Sequence, residues 1–297
     1  MPTKFFQSSE SVQSALDSVL DAAWERFPQL APNQIALTWI TYEPPYRVNT
    51  GGALSAEEFW QYRPQGVSYR GVELIEPAGM VSLFYLVAAH VWLEQGMLQS
   101  SPELVRAMAD MIRGSADAMS YVVDALSGVT SGPELQPGPT QTWQYQRNIV
   151  NRYYQQLAWP ELRGVNLNQK VWCDRPYGRE RDFLGDAREN QNLLSTEAVA
   201  RLLHSIVGGV SVSGVRSHAM MNLLKQSDHQ SESSDRERWT IEAYSRSVSY
   251  RASYTEVSGA WPYLLTVSIT SKGTAHNKEI LTWIEQQILE KTIALFS

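Results

Sequence analysis

Apolar positions three and four apart mark the first predicted element. It is a helix over Ser9–Phe27 with Val12, Leu16, Val19, Leu20, Ala23 and Trp24 on one side and Pro28 as its stop. The period then changes to two, and Ile35, Leu37, Trp39 and Thr41 share one face of a strand over Ile35–Tyr42. Pro44, Pro45, Gly51 and Gly52 make the next stretch turn-rich. Gly79–Leu98, introduced by Pro77, reads as a strongly apolar helix, and shorter helical patterns cover Ser101–Arg113, Ala116–Ser127 and Gln141–Leu157. From Pro160 to Asn192 the chain is irregular and dense in charge. Helical spacing resumes at Ser195–Val207 and His218–Gln226, followed by a polar connector, Asp228–Arg238. Three alternating segments, Trp239–Ser247, Ser249–Val257 and Tyr263–Thr270, predict consecutive antiparallel strands. Asn277–Leu295 is the closing amphipathic helix.

Strands at both ends of the chain and helices between them predict an α+β protein in which the termini meet in one sheet. The expected division is an α/β lobe of residues 1–78 and 195–297, its antiparallel sheet flanked by the N- and C-terminal helices. Residues 79–194 then form an inserted all-helical lobe that carries the irregular loop 160–192.

Composition narrows the function classes. The 297 residues are 43% apolar and 19% charged, which suits a globular protein large enough to bury a substantial core. No apolar run reaches the roughly 18 residues of a membrane helix, so no membrane insertion is expected. The first residues, Met-Pro-Thr-Lys-Phe-Phe-Gln, lack the apolar core of a signal peptide, and a cytoplasmic location is expected. A single cysteine, Cys173, allows no internal disulfide and no thiolate metal cluster. The net charge of −6 has the wrong sign for general nucleic-acid binding. Ten tryptophans suggest aromatic-lined surfaces or grooves.

The order of elements, together with several local strings, resembles the class A β-lactamase and penicillin-binding-protein superfamily of serine hydrolases. "EPAGMVSLFYLVAAHVWLEQGML" is similar to the nucleophile helix, and "GDARENQNLLSTEAVARLLHSIVGG" to the segment that re-enters the α/β lobe. "WPYLLTVSIT" and the helix after it resemble the last strand and its packing helix, and the stretch from Asn166 to Phe183 is reminiscent of cyanobacterial-type members. The resemblance implies a β-lactamase/transpeptidase-like fold and, in its ancestral form, acyl transfer through a serine nucleophile.

The catalytic motifs depart from that pattern. The family's Ser-x-x-Lys puts nucleophile and base on one face of a helix, with the serine at the helix N-terminus where free N–H groups stabilise an oxyanion. Those positions read Gly79-Met80-Val81-Ser82. The proton-shuttling Ser-x-Asn falls at Gly114-Ser115-Ala116, with Ser115 and Asp117 nearby. The Lys-Thr-Gly of the edge strand matches Arg246-Ser247-Val248, and "TSKGT" at Thr270–Thr274 is a weaker imitation after the last strand. The deacylating glutamate of Trp-Glu-Pro-Glu-Leu-Asn meets Trp159-Pro160-Glu161-Leu162-Arg163, where Glu161 is the candidate substitute.

Each candidate has a structural reading beside its functional one. Ser82 is either a relocated nucleophile with Tyr85 as a basic partner, or a small polar residue bonding the backbone inside an apolar helix. Arg246, with Ser247, either binds a carboxylate or phosphate or sits in a salt bridge. Asp174–Asp182 is either a self-paired solvated loop or a roof over a cleft, with Arg179 or Arg181 meeting an anion. The five histidines lack metal-ligand spacing, so no metal is expected, and His90 and His204 read as residues of partly buried helix faces. Cys173 has no histidine near it in sequence and no expected role in catalysis. Trp143, Tyr145, Tyr153, Tyr154 and Trp159 read as core, with a ligand-stacking face as the alternative.

The sequence therefore predicts a pseudoenzyme of the β-lactamase type, without cofactor, that binds a small molecule, peptide or protein partner. Ligand-binding candidates are Ser82, Ser115, Glu161, Arg179, Arg246 and Ser247. The rival is a cytoplasmic serine hydrolase or amidase rebuilt around Ser82 and Arg246.

Overall fold

The computed structural model of the protein describes residues 4–44, 55–171, 176–225, 236–271 and 273–296. Cys173, His229, Lys272, the turn residues Pro45, Gly51 and Gly52, and most of the polar connector lie outside the described residues.

The elements run β1 (Gln7–Ser8), α1 (Glu10–Arg26), β2 (Ile35–Thr41), α2 (Ala56–Gln61), β3 (Gln65–Tyr69), α3 (Val81–Glu94), α4 (Pro102–Ile112), α5 (Ala116–Ser127), α6 (Pro137–Arg147) and α7 (Ile149–Gln156). They continue through α8 (Gly178–Leu184), α9 (Thr196–Val207), α10 (Gly214–Leu224), β4 (Arg236–Tyr244), β5 (Ser249–Val257), β6 (Tyr263–Ile269) and α11 (Thr274–Phe296). The chain divides into two compact units, Met1–Glu73 with Ser195–Ser297, and Leu74–Leu194.

The first unit holds a six-stranded sheet in the order β1-β3-β2-β6-β5-β4. The four predicted strands share it, and the pairings are antiparallel except for β1 beside β3. Trp39 stands opposite Leu265 and Leu37 opposite Val267, so the period-two pattern places these side chains on one face. That face meets α1 through Val12, Leu16, Val19 and Leu20, and α11 through Ile280, Leu281, Ile284 and Ile288, all buried. Each such side chain removed from water contributes roughly 1.5–3 kcal/mol, which holds the terminal helices on the sheet. On the other face, Thr38 and Thr266 approach the start of α9. The Thr38 and Thr196 hydroxyls lie 2.9 Å apart, and the Thr266 hydroxyl donates to the Thr196 carbonyl at 3.0 Å. Buried hydroxyls are tolerated there because each has a partner.

The second unit is organised around α3, whose residues Val81–Trp92 are all buried. A helix apolar on every side must be enclosed, and α4, α5 and α7 belong to the same unit. The expected helix Gln141–Leu157 is two helices, α6 and α7, meeting at Asn148. Trp143 and Tyr154 are core residues, as expected, whereas Tyr145 is 66% exposed.

Candidate functional site

In the second unit, the segment that the motif comparison singled out begins with a strained turn. Ala78–Met80 is one turn of 3-10 helix, and Ala78 at its start has φ +48. For a residue with a Cβ, the left-handed region costs on the order of 1–2 kcal/mol, and such strain persists only where the surroundings impose it. Gly79 follows, half-buried and without a side chain. Ser82 lies at the start of α3 and is 2% exposed. Tyr85, one turn further on, is fully buried and its hydroxyl donates to the Gln169 carbonyl at 2.8 Å. Burial pushes the Tyr85 phenol well above its ordinary range, so it keeps its proton. A tyrosine in that state cannot serve as a base for Ser82.

The α4–α5 junction is explained by helix termination and capping. Gly114 has φ +95 and open space where a Cβ would project, so its backbone angle, not crowding, makes it glycine. Ser115 is the N-cap of α5, and its hydroxyl accepts from the Ala118 N–H at 3.2 Å. Ala116 opens the helix and Asp117 sits in its first turn, where a negative charge suits the helix dipole. Glu161 is buried in a short 3-10 turn, Pro160–Leu162. Arg179, half-buried on α8, donates its Nε–H to the Pro133 carbonyl at 3.0 Å.

The stretch expected to be a solvated, self-paired loop is partly a helix with an inward carboxylate. Glu180 on α8 is fully buried and pairs with Arg147 of α6 at 2.5 Å. Arg147 also reaches Asp124 of α5 at 3.0 Å, and Lys170 reaches the same Asp124 at 2.7 Å. The Ser131 hydroxyl donates to Glu180 at 2.8 Å and accepts from Lys170 at 2.7 Å. This quartet, two cations and two anions with a serine between them, was not visible in the sequence. Buried charges persist only when paired and hydrogen-bonded, so the quartet fixes α8 on α5 and α6.

In the first unit, the third-motif residues do not lie on a strand. β4 ends at Tyr244, and Arg246 and Ser247 are exposed in the turn to β5. Ser245 shapes that turn, accepting from the Ser247 and Val248 N–H groups at 3.3 and 3.1 Å. The expected strand Trp239–Ser247 is therefore shifted three residues toward the N-terminus, because the serine-rich tip closes a hairpin. Val248 is buried beyond the turn. His90 and His204 are fully buried, at 4% and 0% exposure, and not at half-exposed helix faces. His204 meets the Tyr42 hydroxyl at 2.9 Å among Phe5, Phe59 and Trp60. Burial holds its imidazole down to about 3, with Arg201 acting in the same direction.

No family model matches the sequence, and no curated protein matches it. Solved structures do match along nearly the whole chain. A β-lactamase from Sphaerobacter thermophilus DSM 20745 superposes with a TM-score of 0.62 at 13% identity, covering 96% of this chain and 98% of its own. PBP-A superposes at 0.61 and 11% identity, covering 98% of both chains. This chain has the β-lactamase fold. A class A β-lactamase from Bacteroides cellulosilyticus DSM 14838 agrees, at 0.59 and 10% identity over 94% of this chain. At such identities the likeness is one of fold. Within this β-lactamase fold, the helix beginning at Val81 and the α4–α5 junction belong to the helical unit, and Arg246 and Ser247 to the unit with the sheet. Among the described residues no helix is long and apolar enough to cross a membrane.

Proposed function

We propose that the protein is a non-catalytic member of the β-lactamase fold that binds a small molecule, peptide or protein without turning it over. The observation that carries this reading is the turn Ala78-Gly79-Met80. It keeps a strained left-handed alanine beside a residue that has no nucleophilic atom. Strain of this kind collects at functional sites, and its presence beside a glycine supports a turn shaped for binding. The rival nucleophile, Ser82, is buried, and its proposed partner Tyr85 holds its proton.

A variant of PBP-A is known as an acyl-enzyme with penicillin G, which makes a β-lactam the natural probe. Neither a fluorescent penicillin nor a fluorophosphonate is expected to label the wild-type chain, and hydrolysis of a chromogenic cephalosporin should not rise above buffer. Nucleophile and base act as one unit, whose loss costs on the order of a million-fold in turnover. Turnover at ordinary enzyme rates that Ser82→Ala abolishes would refute the reading. Reinstalling both groups as Gly79→Ser with Ser82→Lys should give slow acylation, seen as a mass adduct on the new serine. Gly79→Ser alone should give none, because a serine without a base stays protonated.

A further inference from the structure

The sheet face under α11 changes character between its two halves. Beside β2 and β6 it is apolar, but toward β4 and β5 it carries arginines, hydroxyls and acids. Alternation and register put Arg236, Arg238 and Glu242 of β4 on one face with Arg251, Ser253 and Thr255 of β5 and Tyr263 of β6. One row across three strands reads Arg238, Thr255, Tyr263.

Two carboxylates serve this cluster. Glu285 of α11 binds Arg238 at 2.5 Å and Arg251 at 2.8 Å, and the Ser253 hydroxyl donates to it at 3.3 Å. Glu242 binds the Arg251 Nε at 2.7 Å and accepts from the Tyr244 hydroxyl at 2.5 Å. Among the described residues three guanidiniums thus face two carboxylates, an excess of one positive charge. The Arg236 Nε is buried with no hydrogen-bond partner among the described residues. The Tyr263 hydroxyl, in a side chain with 0% exposure, has the Thr255 hydroxyl beside it as a hydrogen-bonding neighbour, which leaves its own O–H able to donate to a further group. Burial lowers the affinity of Arg238 for its proton; Glu285 opposes this, and Arg251 and Arg236 add to it. Arg238 remains 14% exposed, so the cluster opens at its rim.

Buried donors are normally paired, and a guanidinium fork matches an oxyanion with two parallel hydrogen bonds. We propose that Arg236, Arg238 and the Tyr263 hydroxyl form a binding site for a small oxyanion, a phosphate or carboxylate group. Such a group would neutralise the excess charge, take up the Arg236 donor and accept from the Tyr263 hydroxyl. The site lies on the sheet and is independent of the turn at Gly79.

The test uses inorganic phosphate and acetate as probes, by calorimetry and thermal shift on the full chain, with ionic strength held constant by sodium chloride. Saturable binding of at least one is expected, and the preferred probe tells phosphate from carboxylate recognition. Arg236→Gln should weaken that binding about ten-fold or more, the loss of a charge-assisted bidentate pair. Tyr263→Phe should weaken it less, and Arg179→Gln, far from it in sequence and in the other unit, should leave it unchanged. Circular dichroism checks that each variant folds. Failure of both probes to saturate, or equal affinity in Arg236→Gln, would overturn the proposal. So would binding that appears only after Asp228, Glu232 and Asp235 are neutralised together, since the chain's own acids would then be the counter-charge.

Discussion

Two buried charge clusters, one in each unit, show how similar residues serve different ends. In the helical unit, Arg147 and Lys170 face Asp124 and Glu180, so the charges balance among the described residues. In the sheet unit, among the described residues, Arg236, Arg238 and Arg251 face Glu242 and Glu285. Ion pairs withdrawn from water contribute little net stability, because desolvation opposes their attraction, but breaking one leaves a buried charge with nothing to offset it. A cluster whose described charges balance has a mechanical consequence: α8 stays on α5 and α6. An unbalanced one asks for a further anion. The contrast separates a structural lock from a binding site without appeal to any motif.

The largest test of that contrast removes one member of the balanced quartet. Glu180→Gln leaves Arg147 and Lys170 with Asp124 alone, and should destabilise the protein by about 3–5 kcal/mol in urea unfolding. Replacing both partners, as Arg147→Met with Glu180→Leu, should cost less than Glu180→Gln alone, because no buried charge is then orphaned. A loss below about 1 kcal/mol for Glu180→Gln would mean that water reaches the quartet.

Neither cluster was legible in the sequence, and the reason is spacing. Arg147 and Glu180 are 33 positions apart, and Arg251 and Glu285 are 34 apart, beyond any helical or strand period. The stretch Asp174–Asp182 contains its own opposite charges, so local pairing was the natural reading, and only α8 turns Glu180 inward. Elements with a clean period were legible to the residue: α5 is Ala116–Ser127 and β5 is Ser249–Val257, as the pattern predicts. β3 was missed because Gln-Gly-Val-Ser-Tyr offers little apolar alternation, and its place follows from pairing with β2. The break at Asn148 carries neither proline nor glycine to announce it. At the motif positions, sequence correctly located Gly79 and Ser82 at a helix start. It could not show that Arg246 stands in a turn, because that depends on where β4 ends.

Acid titration probes a buried group of another kind in the sheet unit, the His204 imidazole. His204 is neutral when folded down to about pH 3, and ionises near 6.5 when unfolded. Between these values the unfolded state binds the extra proton, so stability rises with pH across that window and is lost as pH falls below about 6.5. From pH 6.5 to pH 5 the loss should be about 1.6 kcal/mol from this one group. His204→Phe should flatten that part of the curve. An unchanged slope between pH 5 and 6.5 in the variant would show that the imidazole takes up its proton within the fold.

The smallest expected effect is also the one that tells the clusters apart most directly. Arg147→Gln should cost several kcal/mol, since Glu180 and Asp124 would keep only Lys170 between them. Arg236→Gln removes a cation that no carboxylate of the described residues pairs with, and relieves its repulsion of Arg238. Its stability in phosphate-free buffer should therefore stay within about 0.5 kcal/mol of wild type, the range of a substitution that breaks no specific interaction. The same denaturation repeated in saturating oxyanion should separate the two chains. Wild type gains stability by preferential binding to the folded state, about 1.4 kcal/mol for each ten-fold excess over Kd, while the variant gains much less. If Arg236→Gln instead lost several kcal/mol without any anion present, Arg236 would be a structural cation like Arg147, and the two clusters would be alike.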